Sequence, residues 1–176
     1  HDEMWDEQDG FFYDLLRLPN GQAMHLKVRS LVGLLPLCAS TVFEADTVTR
    51  NPRLLELIAQ FRKRHPELVS HVAPTDKGFI GYRDRRLLSI LTKQKLERVL
   101  GYLLDENEFL GPHGIRSLSR YHLEHPFVFH VGGQEYRVQY LPAESNTGMF
   151  GGNSNWRGPV WMPVNLLIVR ALVNLY

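Results

Sequence analysis

The chain has 176 residues, of which 44% are hydrophobic and 22% charged. Those values match an ordinary globular domain and exclude a disordered chain, a collagen or a low-complexity linker. Twenty Lys and Arg against 19 Asp and Glu give a net charge of +1, so no overall electrostatic case exists for a nucleic-acid partner.

The acidic and basic residues are not mixed evenly. Residues 50–98 hold 12 basic against 5 acidic side chains, a local +7, and the remainder is −6. A basic middle could meet phosphate or anionic lipid. The stronger reading is a solvated outer face on helices, as in Arg62-Lys63-Arg64. No apolar run approaches the roughly 20 residues of a membrane span, so no membrane partner is expected. The single cysteine, Cys38, can form neither an internal disulfide nor a multi-cysteine zinc site. A lone thiol fits a reducing compartment, and the expected setting is cytoplasmic. The chain opens at His1 and closes at Tyr176 inside an apolar run, which suggests a piece of something larger.

Asn20-Gly21, after Pro19, is a two-residue turn signal between Phe11–Leu18 and Ala23–Val28. From Arg29 to Phe43 the apolar spacing predicts a helix, with Pro36 as a kink or late start. Asn51-Pro52 opens a second helix, with Leu54, Leu57, Ile58 and Phe61 as its apolar stripe. His65-Pro66 closes it. A loop is predicted over residues 70–86, and a third helix over Thr92–Leu104 with Leu96, Val99, Leu100 and Leu103 buried. Residues 105–126 read as a long ordered loop. Gly132-Gly133 predicts a second hairpin between Phe127–Val131 and Glu135–Tyr140. A glycine-rich loop follows over residues 142–158, and a final helix starts near Pro159 or Pro163. Helices with long connections and two small hairpins suit an all-α toroid of stacked helix pairs, whose loops at one end build a site.

Three segments carry residue types that suit chemistry. The first, Trp5-Asp6-Glu7-Gln8-Asp9-Gly10-Phe11-Phe12-Tyr13-Asp14, interleaves carboxylates with four aromatic rings. Ring faces pack on the C–H side of a sugar, and carboxylates accept from its hydroxyls. An acidic loop leading into core aromatics explains the same pattern somewhat better. The second runs Asp105 to Ser117, where acids follow a helix C-terminus that disfavours them and one could hold Arg116. Function and a solvated helix end compete there on equal terms. The third, Glu144 to Trp161, sets Trp156-Arg157-Gly158-Pro159-Val160-Trp161 in a glycine-rich loop just before a helix, and here a ligand role is favoured over core plugs. No phosphate loop, dinucleotide fingerprint, zinc-protease motif or nucleophile elbow is present, and His122 and His125 lack an obvious third metal ligand.

At Trp156-Arg157-Gly158-Pro159-Val160-Trp161 the chain resembles glycoside hydrolase family 63. Its relatives include processing α-glucosidase I and the bacterial mannosylglycerate and glucosylglycerate hydrolases. The longer stretch Asn153 to Asn165 and the segment Trp5 to Asp14 are similar to that family's motifs. Phe109-Leu110-Gly111-Pro112-His113-Gly114-Ile115-Arg116-Ser117-Leu118-Ser119 resembles the branch related to mannosylglycerate hydrolase. The resemblance implies that the chain is the central part of an (α/α)6 barrel that hydrolyses α-linked glucosides or mannosides with inversion. It also implies that the catalytic acid, an Asp, lies upstream and the base, a Glu, downstream of these 176 residues. Trp156 and Trp161 would line the sugar pocket. A non-catalytic carbohydrate-binding toroid and, more weakly, a sugar epimerase are the alternatives. Trp5, Asp9, Tyr13, Arg116, Glu144, Trp156, Arg157 and Trp161 are expected to converge on one sugar-binding surface. Acid–base hydrolysis uses carboxylates alone, so neither metal nor organic cofactor is expected.

Overall fold

A computed structural model describes residues 2–44, 46–66, 79–80, 85–142 and 159–176. Alternation and glycine turns dominate its local structure. At Gly132 and Gly133 the backbone takes φ of +59° and +78°, the pair of positive values that a two-residue hairpin turn demands. Strands Phe127–Val131 and Gln134–Val138 therefore pair antiparallel, Val131 opposite Gln134. Asn20-Gly21 also turns the chain between Asp14–Arg17 and Ala23–Leu26, but in a longer loop over residues 18–22 instead of the expected two-residue turn, with Gly21 at φ +82°, Leu18 N–H donating to the Gln22 carbonyl at 2.8 Å and Gln22 N–H donating to Asn20 Oδ1 at 3.0 Å.

In chain order the strands are β1 (Trp5–Asp6), β2 (Phe11–Phe12), β3 (Asp14–Arg17), β4 (Ala23–Leu26), β5 (Ser40–Phe43), β6 (Phe79–Ile80), β7 (Arg86–Ser89), β8 (Leu110–Gly111), β9 (Gly114–Ile115), β10 (Phe127–Val131) and β11 (Gln134–Val138). The α-helices are α1 (Thr47–Arg50), α2 (Pro52–Arg64), α3 (Lys93–Leu104) and α4 (Met162–Leu175), and short 3-10 helices lie at Asp2–Met4, Leu31–Cys38 and Arg120–Leu123. All pairings are antiparallel: β1-β2, β3-β4, β8-β9 and β10-β11 are two-stranded, and β5-β7-β6 is three-stranded.

The expected all-α (α/α)6 toroid is therefore incorrect; the chain is mixed α/β, built from small antiparallel sheets and few helices. Three local causes are visible. The stretch predicted as a helix from Arg29 to Phe43 is a 3-10 helix followed by β5. Its buried residues Leu31, Leu34 and Leu37 recur every third position, and Pro36 supplies no N–H for an α-helical bond. The stretch read as one long loop over 105–126 contains the β8-β9 hairpin and a 3-10 helix. Among the described residues, β6 and β7 lie between α2 and α3, and β8 to β11 lie between α3 and α4, where helical hairpins were expected.

The chain divides into two compact units. Unit 1 comprises His1–Leu35 and Glu97–Leu167, and unit 2 comprises Pro36–Leu96 and Ile168–Tyr176. Unit 1 has an aromatic and aliphatic core. Phe11 stacks on Phe109 at 5.8 Å and meets Tyr102 edge-on at 5.0 Å, with Leu31, Leu34, Val99, Leu103 and Leu118 buried around them. Gly33 is required there, because a Cβ at that position would sit 2.3 Å from Phe11 Cε1 and 2.5 Å from the Phe12 carbonyl. The third predicted helix is α3, with Val99 and Leu103 buried and Leu96 and Leu100 half-buried. In unit 2 the buried apolar residues are Leu37, Leu91, Ile168 and Ala171. On α4, Met162, Leu166, Val169 and Val173 are exposed. Among the described residues no helix is long and apolar enough to cross a membrane.

Candidate functional site

The polar residues of unit 1 gather at the β1-β2 hairpin. Asp6 Oδ1 accepts the Asp9 amide at 2.8 Å, and Gly10 N–H donates to the Asp6 carbonyl at 2.7 Å, which folds residues 6–10 into a tight acidic loop. Gly10 has φ +70°, and a Cβ there would lie 2.0 Å from Arg98 Nε. The close approach has a use. Arg98, on α3, donates to the Glu7 and Gln8 carbonyls at 2.8 and 2.9 Å and so clamps the loop.

Two carboxylates emerge on this loop. Asp9 Oδ2 accepts from the Tyr13 hydroxyl at 2.9 Å and from Lys27 Nζ at 3.1 Å, while the Asp9 carbonyl accepts from the Tyr102 hydroxyl at 2.7 Å. Asp6 Oδ2 lies 3.0 Å from Lys27 Nζ and 3.4 Å from His25 Nδ1. The Asp9 amide, and after it Lys27 and His25, hold the Asp6 carboxyl below its ordinary pKa against the pull of burial. Hydrogen bonds to Asp6 and Asp9 raise the pKa of Lys27. Asp6 is thus an ionised acceptor with an ammonium between it and Asp9. The two carboxylates lie closer than the span of about 6.5–9.5 Å that an inverting acid–base pair keeps.

A second layer supports the first. The Arg29 guanidinium lies over the Tyr121 ring at 4.0 Å and the Tyr102 ring at 5.1 Å, pairs with Glu108 Oε1, and approaches the Tyr13 hydroxyl at 3.5 Å. Burial opposes its charge, but Tyr13 and Glu108 outweigh that and raise its pKa. Ser119 Oγ donates to the other Glu108 oxygen. Burial pushes the Tyr13 and Tyr102 hydroxyls up, so both stay protonated and able to donate. His122 is buried; its Nε2 accepts the Arg29 amide at 2.9 Å, which places its proton on Nδ1 facing the His125 carbonyl at 2.8 Å. Burial lowers its pKa; the bond to the His125 carbonyl opposes this, and the charges of the Arg29 and His125 side chains add to it.

Of the residues expected to converge, Asp9 and Tyr13 are joined by a hydrogen bond, and Trp5 lies on the same hairpin opposite Phe12. Their roles differ from the expectation of open stacking faces. Trp5 is buried against Phe12 at 4.8 Å, has Arg98 over its ring at 5.7 Å, and donates its Nε1–H to Glu7. Tyr13 is buried beside Phe11 at 5.3 Å. Arg116 is held by backbone, not by a carboxylate. It donates to the carbonyls of Glu106, Glu108 and Leu110 at 2.9, 3.2 and 2.7 Å, closing the loop after α3. Trp161 is half-buried, and its carbonyl accepts from the Asn165 amide and side chain at 3.0 and 3.1 Å. Glu144, Trp156 and Arg157 lie outside the described residues. Lys27, Arg29, Arg98, Tyr102 and Glu108 were not among the expected site residues. Each has a partner 18 to 93 positions away, beyond any local pattern. Among the described residues no group of three or more His, Cys, Asp and Glu is placed to hold a metal ion.

The arrangement can accept hydroxyl protons. Both bonds to the Asp9 carboxylate end on Oδ2, so no described residue bonds Oδ1, and Lys27 stands beside it half-exposed as a donor. No protein-family profile matches the chain. It is 46% identical over 174 residues to the uncharacterized protein YMR196W of Saccharomyces cerevisiae, an alignment covering 98% of this chain and 16% of that protein. The chain spans about one-sixth of the length of the curated relative it matches.

Proposed function

We propose that this chain is a sugar-binding part of an α-glycoside hydrolase, acting on α-linked glucosides or mannosides in a cytoplasmic setting and without metal or organic cofactor. The observation that carries the proposal is the Asp6-Asp9-Lys27 cluster. It is built on the Trp5 to Asp14 segment that also carries the family resemblance, and in it no described residue bonds Asp9 Oδ1, which stands beside an ammonium donor. Ionised acceptors next to a fixed donor suit vicinal hydroxyls, which both donate and accept. Trp156, Arg157, Glu144 and Trp161 are assigned to the sugar by the same resemblance.

Neither Asp6 nor Asp9 is assigned as the general acid. The Asp9 amide and Lys27 hold the Asp6 carboxyl ionised whereas a general acid must carry a proton, and Asp9 Oδ2 is already committed to the Tyr13 hydroxyl and Lys27. The catalytic pair is assigned to residues outside this chain, in a longer polypeptide such as the yeast relative represents. Binding without hydrolysis is the second reading, and the same ion pairing favours it.

Anomer-resolved NMR of a reaction on an α-glucoside or α-mannoside by the longer polypeptide separates the two. The proposal expects β-configured product first, and Trp156→Ala should raise KM strongly by removing a binding wall. Retention of configuration, or wild-type kinetics in that variant, contradicts it. Sugar binding with no turnover selects the second reading.

A further inference from the structure

Whereas the Asp6-Asp9-Lys27 cluster belongs to unit 1, helix α2 belongs to unit 2. It is thirteen residues long, begins with Pro52 at its first turn, and Asn51 makes no side-chain cap bond to it. Helices of that length are marginal in water unless an apolar face is covered. Yet every side chain described on α2 except Leu54 is exposed. Leu57, Ile58 and Phe61 are 52%, 37% and 51% exposed, and they form one stripe at helical spacing. Phe61 extends it onto His65, ring centroids 4.9 Å apart. Helical periodicity sets Arg53 and Arg64 along one edge of that stripe and Arg62 along the other, and Glu56 is the helix's one acidic residue. The sequence suggested a solvated outer face; the cations occupy one, but the apolar stripe faces solvent as well.

We propose that α2 is an interfacial helix that lays Leu57, Ile58 and Phe61 onto an anionic phospholipid surface, with the flanking arginines meeting lipid phosphates. Charge complementarity selects this occupant. A bilayer with anionic lipid attracts each cation through its surface potential and needs no carboxylates matched to guanidinium positions. Arginines at the edges of an apolar stripe can let their stems lie along it while their heads stay at phosphate level. A protein partner would have to supply an acidic rim matched to the arginine positions. Lying on a bilayer requires no spanning helix.

Flotation of the full chain with vesicles tests this. Vesicles containing about one-third phosphatidylserine should carry the chain upward, and phosphatidylcholine alone should not. Binding should fall as added salt shortens the Debye length. The double variant Arg53→Gln, Arg64→Gln should weaken partition roughly 30-fold, at about 1 kcal/mol per charge. Leu57→Ser with Phe61→Ser should abolish it, with circular dichroism confirming an unchanged fold. Failure of the wild-type chain to float with anionic vesicles overturns the proposal. So does undiminished binding by Leu57→Ser, Phe61→Ser. A concentration-dependent dimer that this variant dissolves, without vesicle binding, would assign the stripe to a second copy instead.

Discussion

One arginine–carboxylate pair from each unit shows how differently ion pairs are used. In unit 1, Arg29 and Glu108 are 16% and 14% exposed, lie 79 positions apart, and are braced by two tyrosine rings and Ser119. In unit 2, Arg50 and Asp46 are 76% and 48% exposed and four positions apart on one helical turn. The first pair fixes where two distant segments meet. The second holds only local structure and competes with water at every moment. The aromatics repeat the contrast, since Phe11 is fully buried under Gly33 whereas Phe61 is 51% exposed on α2. Unit 1 uses burial to aim a few polar groups outward at Asp6 and Asp9. On α2, the polar and apolar groups alike remain at the surface.

The aromatic pair gives the largest expected difference. Phe11→Ala should cost about 3–5 kcal/mol in a denaturant titration, from lost transfer energy and a cavity among Tyr102, Phe109 and Gly33. Phe61→Ala should stay within about 0.5 kcal/mol. Equal costs would mean that α2 is covered in the free chain, and the comparison would fail.

The ion pairs come next. Removing Glu108 as Glu108→Ala strands a half-enclosed guanidinium and should cost about 2 kcal/mol. Asp46→Ala should change stability by at most about 0.5 kcal/mol. A double-mutant cycle on each pair sharpens the contrast, with coupling expected for Arg29–Glu108 and little for Arg50–Asp46.

A smaller effect depends on pH. His122 is neutral in the folded chain, with a pKa lowered from 6.5 chiefly by burial. A folded pKa below the unfolded one means the unfolded chain binds the proton first. The His122 contribution is therefore complete above pH 6.5 and is lost as pH falls toward the folded value. Protonation would also set Nε2–H against the Arg29 amide, breaking that 2.9 Å bond. Melting temperature should drop between pH 6.5 and lower values, and His122→Gln should flatten that limb. An unchanged limb in the variant would assign the acid sensitivity to other groups.

The sequence disclosed what is local. Asn20-Gly21 and Gly132-Gly133 announced their turns because positive φ is a property of those residues themselves. Asn51-Pro52 and His65-Pro66 bracketed α2 because proline fixes its own φ and disfavours helix in the residue before it. What depends on distant partners was hidden. Nothing near Arg29 predicts Glu108, His122 or the Tyr102 and Tyr121 rings. The helix expected through Pro36 failed because apolar residues spaced three apart also fit a 3-10 turn, and the strand after it draws its partner from residues 86–89. Tyr13 was legible as a neighbour of Asp9, and Trp5 as part of the same segment. Their burial was not, because a ring that stacks on a sugar and a ring that packs a core have the same composition.

Asp9 offers the sharpest measurement. In an isotope-labelled chain titrated with methyl α-glucoside or methyl α-mannoside, amide shifts should move at Asp6 to Gly10 and at Lys27. Asp9→Asn should weaken the binding roughly tenfold or more, since a hydrogen bond to a charged acceptor contributes about 1.5–3 kcal/mol. Shifts confined to other segments, or wild-type affinity in Asp9→Asn, would contradict the assignment of this loop to sugar hydroxyls.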